Sequence, residues 1–251
     1  VTVTDFIQIL RRYYVSPLVK MSELEDHKIQ TWRDISSLAR TESVGWTKQR
    51  LIAIDPMANL LQTHEVLLTE KVHRLPIIDN ETGNMFAILT HLRLLTYLHS
   101  NFLMHQKIEM LQLTLSDLKI GTTTNVAAVQ EDTPLISVLN IFCERRISAL
   151  PVVDQDGKVI SLYRKHDVMN LARDRTYNNL DVSVSSALKR RKNFHALHTC
   201  KLTDTLGEIV DKIVLTSVHR LVIVDREEFL IGVVSLSYLL EFMLNAPDTN
   251  V

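Results

Sequence analysis

The sequence predicts an α/β (α+β) fold built from repeated small modules, and three observations support this prediction. The segments HRLPIID at 73–79, RISALPVVD at 146–154 and HRLVIVD at 219–225 are versions of one another, with an arginine recurring 72 and then 74 residues apart. Each version has helical periodicity before it and strand-like runs within and after it. The spacing is too long for a solenoid repeat, so each copy should be a supersecondary module of its own.

The third copy shows the order of the elements most clearly. Thr133-Pro134 starts a helix with proline in its first turn and apolar residues at steps of three and four, namely Leu135, Val138, Leu139 and Phe142. ISALPVV predicts a buried strand, which is followed by a turn at 154–157, a second strand KVISLYR and a final helix HDVMNLARD. The predicted order is helix, strand, turn, strand, helix, which suits helices packed against one sheet face.

The other copies fit the same plan. Turns at 80–84 and 226–228 lead into the strands MFAILT and FLIGVVSL, and final helices are expected near 91–105 and 236–245. The opening VTVTDFIQILRRYY alternates like a strand at its first residues and resembles the second strand and final helix of an earlier copy. The chain is therefore expected to be part of a four-repeat protein. The predicted boundaries of the copies are 1–20, 38–105, 117–175 and 194–247.

The stretches between the copies are predicted to be less regular. Polar connectors are expected at 23–34 and 174–184, and the segment 39–50 is expected to be a loop because it lacks periodicity.

Composition excludes several classes of function. Hydrophobic residues make up 46% and charged residues 23%, which is typical of a folded globular protein. With 28 Lys plus Arg against 29 Asp plus Glu, no global field favours nucleic acid or an anionic membrane. No apolar run approaches the roughly 18 residues that a membrane span needs. We expect an intracellular protein in the cytoplasm, with the nucleus as a second location.

The start of the first strand in each copy is a candidate anion site. His73-Arg74 and His219-Arg220 stand there in two copies, and Arg145-Arg146 takes the place of the pair in the third. Guanidinium groups bind phosphate oxygens in a bidentate way, and imidazoles donate further hydrogen bonds. The alternative is a charged strand edge that prevents aggregation. Recurrence in three copies favours phosphate binding.

The start of each final helix is the second candidate. Thr2-Val3-Thr4-Asp5, Lys165-His166-Asp167 and Ser235-Leu236-Ser237-Tyr238 stand at these starts. Ser, Thr and Asp cap free backbone donors at such positions. A carboxylate there can also accept hydrogen bonds from ribose hydroxyls. The residue types alone leave both alternatives open.

Catalytic and metal-binding motifs are missing from the sequence. It contains no GxxxxGK[ST], GxGxxG, HExxH or GxSxG motif. The ten histidines do not stand in ligand spacing with carboxylates or thiolates, and His91, His99, His105, His195 and His198 are expected on surfaces or helix faces. We therefore expect neither an enzyme nor a metal site.

Five segments together resemble the gamma subunit of AMP-activated protein kinase, a family of tandem CBS (cystathionine beta-synthase type) repeats. They are ILTHLR at 88–93, SALPVVD at 148–154, TYNNLDVSV at 176–184, VHRLVIVD at 218–225 and GVVSLS at 232–237. The resemblance implies CBS repeats paired into two Bateman modules. It also implies AMP, ADP or ATP bound between repeats, no activity of its own, and a kinase heterotrimer with a catalytic alpha and a scaffolding beta subunit.

The resemblance also implies which residues bind nucleotide. Asp5 and Asp167 would hold ribose. The residues that would line adenine or ribose pockets are Thr2, Thr4, Ile52, Thr122, Ala127 and Ser148. The residues that would meet phosphates are Lys71, His73, Arg74, Arg191, His219, Arg220, Ser235 and Ser237. Four neighbours complete the implied nucleotide-binding set, namely Ile147, Arg164, Lys165 and His166.

Four positions bear on how many of these sites bind nucleotide. In the second copy, Arg93 stands where an acidic residue would hold ribose. The family also has an arginine at this position, which implies that the site there stays empty. Three further positions depart from the family pattern: Tyr238 replaces the fourth ribose aspartate, Leu92 replaces a phosphate-facing lysine, and Arg145 replaces a histidine. They predict a divergent isoform with an altered nucleotide response. Two alternatives remain, a scaffold subunit indifferent to nucleotide and the regulatory CBS module of an enzyme such as a purine dehydrogenase.

Overall fold

The fold was analysed in a computed structural model, which describes residues 2–14, 51–103, 109–191 and 196–245. These residues belong to two compact units, one drawing on 1–49 and 127–197 and the other on 50–126 and 198–251. The predicted connector 23–34 and loop 39–50 lie outside the described residues. Among the described residues, no helix has the length and apolar character that crossing a membrane requires.

The first unit contains a three-stranded sheet and helices from the first and third copies. Its sheet has the order β3 (Val129–Gln130), β4 (Ala149–Val153), β5 (Val159–Arg164), with β3 parallel and β5 antiparallel to β4. A 3₁₀ helix, Lys165–Val168, follows β5 directly. The α-helices and strands described in this unit are α1 (Val3–Tyr13), β3 (Val129–Gln130), α5 (Leu135–Glu144), β4 (Ala149–Val153), β5 (Val159–Arg164), α6 (Met169–Arg173) and α7 (Val184–Lys189).

The second unit contains two sheets, one from the second copy and one from the fourth. The strands β1 (Arg74–Ile78) and β2 (Met85–Thr90) form an antiparallel pair. The arrangement of the first unit's sheet is repeated by β6 (Thr199–Cys200), β7 (Arg220–Val224) and β8 (Leu230–Ser235). The α-helices and strands described in this unit are α2 (Leu60–Thr69), β1 (Arg74–Ile78), β2 (Met85–Thr90), α3 (His91–Leu98), α4 (Leu115–Leu118), β6 (Thr199–Cys200), α8 (Leu206–Thr216), β7 (Arg220–Val224), β8 (Leu230–Ser235) and α9 (Leu236–Asn245).

The predicted order of helix, strand, turn, strand and helix is confirmed in the second, third and fourth copies. Each hairpin closes at an aspartate, Asp79, Asp154 or Asp225, whose Oδ1 accepts a hydrogen bond from the backbone N–H two residues later. Such turns tie the two strands together locally, because the aspartate side chain replaces a backbone acceptor. The third-copy helix begins at Leu135, so Pro134 caps this helix and is not its first residue.

The opening residues correct one prediction. Their alternation was expected to indicate a strand, but Val3–Tyr13 is a helix that buries Phe6, Ile7, Ile9 and Leu10. The run VTVT is short, and Asp5 completes a capping box with Thr2 that starts a helix. The prediction that the opening includes a final helix is confirmed.

The final helices of two copies pack together in each unit. In the first unit, α1 packs against α5 and the 3₁₀ helix of the third copy. In the second unit, α3 packs against α9, α8 and α2. Each unit has its own apolar core, which includes Leu10 and Tyr163 in the first and Leu95 and Ile213 in the second.

The stretch predicted as a polar connector at 174–184 contributes to the first core. Tyr177 and Leu180 are buried, and the backbone carbonyls of Leu180 and Val182 accept hydrogen bonds from the first residues of α5. The stretch connects α6 to α7 without a helix or strand of its own, as predicted, but Tyr177 and Leu180 also make it part of the core.

Candidate functional site

The third residue of the final helix is the position that distinguishes the copies chemically. Asp5, Arg93, Asp167 and Tyr238 occupy it, each three residues after a capping residue. Asp5 and Asp167 are each only 7% exposed, whereas Tyr238 is 43% exposed. The two copies in the first unit therefore carry a buried carboxylate at a helix start, and the two in the second unit do not.

The carboxylate of Asp5 forms a capping box with Thr2. Its Oδ2 accepts hydrogen bonds from the Thr2 backbone N–H at 2.6 Å and from the Thr2 hydroxyl at 3.0 Å. The Asp5 N–H donates in return to the Thr2 hydroxyl at 3.4 Å. The helix start thus holds the carboxylate in a fixed orientation, with free backbone donors of the first turn nearby.

The carboxylate of Asp167 is held by two arginines. Its Oδ2 accepts from the Arg164 backbone N–H at 2.7 Å and from Arg191 Nη2 at 2.5 Å, and Arg164 Nε lies 3.7 Å away. Arg191 Nη2 also donates to the Leu162 carbonyl at 2.6 Å. The structure therefore brings together three predicted site residues, Arg164, Asp167 and Arg191.

The ion pair of Asp167 and Arg191 is buried. Their side chains are 7% and 10% exposed, and the Arg191 guanidinium lies 5.9 Å from the centre of the Tyr163 ring. Burial lowers the pKa of Arg191, while Asp167 opposes this effect, and burial raises the pKa of Tyr163. Arg191 stays charged because the ordinary pKa of a guanidinium is above 12.

Two arginine donors beside this carboxylate have no acceptor in the part of the chain that the structure describes. The Nε atoms of Arg164 and Arg191 are buried and make no hydrogen bond within the described residues. A buried donor without a partner is costly, so such groups often mark a place for a ligand acceptor. A phosphate or other anion is the type of ligand that guanidinium donors favour.

At the helix starts of the second unit, side chains form hydrogen bonds with nearby backbone groups. The Thr90 hydroxyl accepts from the Arg93 N–H at 3.3 Å, and Arg93 Nη1 donates to the Ile88 carbonyl at 2.6 Å. In the fourth copy, the Ser235 hydroxyl accepts from the Tyr238 N–H at 3.3 Å. Neither start presents a carboxylate.

The strand registers correct the predicted alignment of the basic residues. Arg74 pairs with Thr90, Ala149 with Arg164 and Arg220 with Ser235, so Ala149 is the third-copy equivalent of Arg74 and Arg220. The prediction that Arg145-Arg146 replaces the His-Arg pair was therefore wrong, and the replacement is Ser148-Ala149. The Lys165 N–H donates to the Ser148 carbonyl at 2.9 Å just as the Leu236 N–H donates to the His219 carbonyl at 2.9 Å.

Arg146 has a different equivalent. Lys71, Arg146 and Ser217 each lie three residues before the first strand and have φ values of 52°, 53° and 54°. This left-handed conformation ends the preceding helix in each copy. Arg146 therefore corresponds to Lys71, and both are exposed cations at a helix end.

The second unit contains a group of histidines that the sequence did not reveal. The rings of His73 and His91 lie 5.8 Å apart, and His91 is buried at the first position of α3, so of the two expected locations it has the helix and not the surface. Burial, and then the imidazoles of His73, His64 and His219, lower the pKa of His91 to about 4. His64 is 1% exposed, and its pKa is also lowered by burial. The only feature of the sequence that hints at this group of histidines is that His73 and His219 occupy equivalent positions in two copies.

The remaining predicted residues divide between the two units. The first unit also contains Thr4, Ala127, Ile147, Lys165 and His166. In the second unit, the Thr122 N–H donates to the Val233 carbonyl at 2.9 Å, which places Thr122 beside β8. The other predicted residues of the second unit are Ile52, Lys71, His73, Arg74, His219, Arg220, Ser235 and Ser237.

The CBS domain family matches residues 115–174 and 192–245, which contain most of the third and fourth copies. The chain is similar to this family over those two segments. It is 42% identical over 98% of its length to the AMP-activated protein kinase gamma-3 subunits of Sus scrofa and Homo sapiens. The resemblance predicted from the sequence is thereby confirmed. The chain spans about half of these relatives, 47% and 49% of their lengths.

Solved structures show the same fold. A protein from Methanocaldococcus jannaschii, named as an archaeal homologue of the gamma subunit, has a TM-score of 0.68 at 18% identity and covers 97% of this chain and 82% of its own. A conserved protein from Pyrococcus horikoshii has a TM-score of 0.56, also at 18% identity, and covers 78% of this chain and 80% of its own. At these identities the likeness concerns the fold alone.

Proposed function

We propose that this chain is a non-catalytic regulatory subunit of an AMP-activated protein kinase that binds AMP, ADP or ATP and responds to the energy state of the cell. The observation that carries the proposal is the 42% identity to gamma-3 subunits over 98% of this chain. The two buried aspartates at equivalent helix starts support the nucleotide-binding part of it. The predicted copies at 1–20, 38–105, 117–175 and 194–247 are the repeats on which the proposal rests.

The first unit is the stronger candidate for nucleotide binding. Asp5 and Asp167 are the proposed ribose acceptors, and Thr2, Thr4, Ala127, Ile147 and Ser148 are proposed to line the adenine or ribose. Arg164 and Arg191 offer guanidinium donors of the kind that bind phosphate. The buried surroundings strengthen such charge-assisted hydrogen bonds because water competes less well there.

The second unit is proposed to contribute cations to phosphate recognition. Lys71, His73, Arg74, His219 and Arg220 stand at the helix ends and strand starts of the second and fourth copies, and Ser235 caps α9. Because Arg93 and Tyr238 replace carboxylates at the helix starts, we propose that ribose is held less well in this unit.

The mechanism that we propose is a shift of population. A nucleotide that binds one arrangement of the subunit more tightly than another shifts the kinase complex toward that arrangement, by no more than the difference in affinity. The partners are the kinase alpha and beta subunits, and the location is the cytoplasm, with the nucleus as a second site.

Calorimetry with AMP tests the proposal. The 251-residue chain is titrated alongside its Asp5→Asn and Asp167→Asn variants, since asparagine keeps the volume of the side chain and removes its charge. We expect micromolar binding to the wild type and loss of about tenfold or more in each variant at its own site, because a charge-assisted hydrogen bond is weakened. No binding of AMP to the folded wild type would contradict the nucleotide-binding part.

A second candidate is a scaffold subunit that assembles the kinase without responding to nucleotide. Arg93, Tyr238 and Ala149 favour it, because each removes a group that the other copies use at the same position. Co-expression with alpha and beta subunits distinguishes the two candidates. Assembly combined with kinase activity that is unaffected by AMP would favour the scaffold, and assembly with AMP-dependent activity would favour the regulatory subunit.

A further inference from the structure

The Oδ2 atom of Asp167 has no room for a further hydrogen bond. It already accepts from the Arg164 backbone N–H at 2.7 Å and from Arg191 Nη2 at 2.5 Å. A carboxylate oxygen offers about two lone-pair positions, so both are taken. Every hydrogen bond and ion pair of this carboxylate among the described residues falls on Oδ2.

A ribose diol needs both oxygens of the carboxylate when its two hydroxyls bind as a pair. Of the two groups on Oδ2, the Arg164 N–H belongs to the backbone at the helix start, three residues before Asp167. Arg191 comes from the segment after α7, and only its long side chain reaches Asp167. Arg191 is thus the group that a ribose hydroxyl would displace.

Displacing Arg191 has different consequences for a nucleoside and for a nucleotide. Its Nε atom and the Arg164 Nε atom are buried donors without an acceptor in the described residues. A phosphate would supply acceptors for a guanidinium that has left the carboxylate. A nucleoside has no anionic group to replace the carboxylate, so the buried guanidinium charge would lose its partner, which is strongly unfavourable.

We propose that Arg191 is a specificity-determining residue that closes Asp167 against ribose unless the ligand carries a phosphate. The proposal rests on the proposed function, because it concerns the nucleotide site at Asp167. It makes Arg191 a competitor for the ribose acceptor as well as a phosphate contact. The site then favours AMP over adenosine for two reasons. The phosphate attracts the Arg191 guanidinium, and the movement of Arg191 frees Asp167 Oδ2 for the ribose.

Calorimetry of AMP and adenosine on the Arg191→Ala variant of the full chain tests this proposal. We expect adenosine to bind about tenfold more tightly than to the wild type, because Asp167 Oδ2 is released, and AMP to bind more weakly because a phosphate contact is lost. Arg190→Ala is the matched control, since Arg190 is exposed and adjacent, and it should change neither affinity. The double variant Arg191→Ala with Asp167→Asn should lose the gain in adenosine affinity, which assigns the gain to this site.

The outcomes are separable from those of the proposed function. If AMP binds the wild type and adenosine binds folded Arg191→Ala no more tightly than it binds the wild type, the proposal is overturned while the proposed function stands. If AMP does not bind the wild type at all, both fail. Should Arg191→Ala be unfolded by circular dichroism, Arg191→Met, which keeps most of the side-chain volume without a donor, is measured in its place and judged by the same adenosine criterion.

Discussion

Asp5 and Asp167 hold the same position in two copies of the repeat. Each is the third residue of its helix and 7% exposed, and each accepts a hydrogen bond from the backbone N–H of the capping residue, at 2.6 Å and 2.7 Å. The equivalence comes from the helix starts themselves and does not depend on sequence similarity. It places two carboxylates of matched geometry in the first unit.

Removing the Asp167 carboxylate should destabilise the protein. In Asp167→Ala, Arg191 remains buried without its partner, and we expect the free energy of unfolding to fall by about 3 to 5 kcal/mol. Asp174→Ala is the control, because Asp174 pairs with Arg173 at 2.8 Å near the surface, where such a pair contributes at most about 1 kcal/mol. Urea unfolding followed by circular dichroism measures both. Equal, small losses in the two variants would show that the buried pair does not stabilise the fold.

The second unit should lose stability as the pH falls from about 6.5 toward 4. The pKa of His91 is lowered from 6.5 to about 4 by burial and by neighbouring imidazoles, so the unfolded chain binds more protons than the folded one in this window. The burial of His64 acts in the same direction, opposed by Glu241 and Glu65. Thermal melts between pH 4 and 8 should therefore show a loss on the order of 2 to 3 kcal/mol attributable to His91.

The variant His91→Gln separates this titration from other effects of acid. Measurements at pH 8, where the imidazole is neutral, give the cost of the substitution itself. Relative to that value, His91→Gln should lose less stability between pH 6.5 and 4 than the wild type. Parallel curves for the two proteins would argue against a titrating His91.

Restoring a carboxylate in the fourth copy should strengthen the second unit. In Tyr238→Asp, the new side chain can accept from the backbone at Ser235 and complete a capping box, which is expected to stabilise the fold by about 0.5 to 1 kcal/mol. Tyr238 is 43% exposed, so its loss leaves no large cavity. If the fourth copy then binds nucleotide, calorimetry with AMP shows an added binding event.

The control for that experiment is Tyr238→Asn, which caps the helix without a negative charge. It should improve stability less than Tyr238→Asp and should add no binding event. A gain in binding with asparagine as large as with aspartate would mean that tyrosine blocks the site sterically.

Gly232 should not tolerate a side chain. A Cβ atom at this position would lie 2.6 Å from the backbone oxygen of Thr122, which pairs with the adjacent Val233. Gly232→Ala should therefore push the Thr122 segment away from β8 and lower stability by about 1 to 3 kcal/mol. Ser161 is the equivalent residue of the third copy, and Ser161→Ala should change the urea midpoint far less. A Gly232→Ala protein as stable as the wild type would contradict the close approach.

The sequence predicted the fold well because the repeated pattern is local. The apolar spacing of α5, the β-branched strand β4 and the turn at Asp154 are each determined by neighbouring residues, and each is found where it was expected. The helix-start positions were predicted for the same reason. A capping residue and the third residue after it form a unit within a few residues of chain.

Three features could not be predicted because they depend on contacts that are distant in sequence. The pairing of Ala149 with Arg164 determines the register of the third-copy strand. Sequence comparison alone matched Arg146 to Arg74, whereas its structural equivalent is Lys71. The burial of His91 depends on the packing of α3 against other helices. The pair of Asp167 and Arg191 joins residues 24 apart in sequence.

A crystal structure of the chain grown with AMP tests the central claim most directly. The account predicts ribose hydroxyls within hydrogen-bonding distance of the Asp5 and Asp167 carboxylates, with the Arg191 guanidinium moved from Asp167 Oδ2 to the phosphate. AMP bound away from both aspartates, or no bound AMP in crystals of the folded chain at saturating concentration, would contradict it.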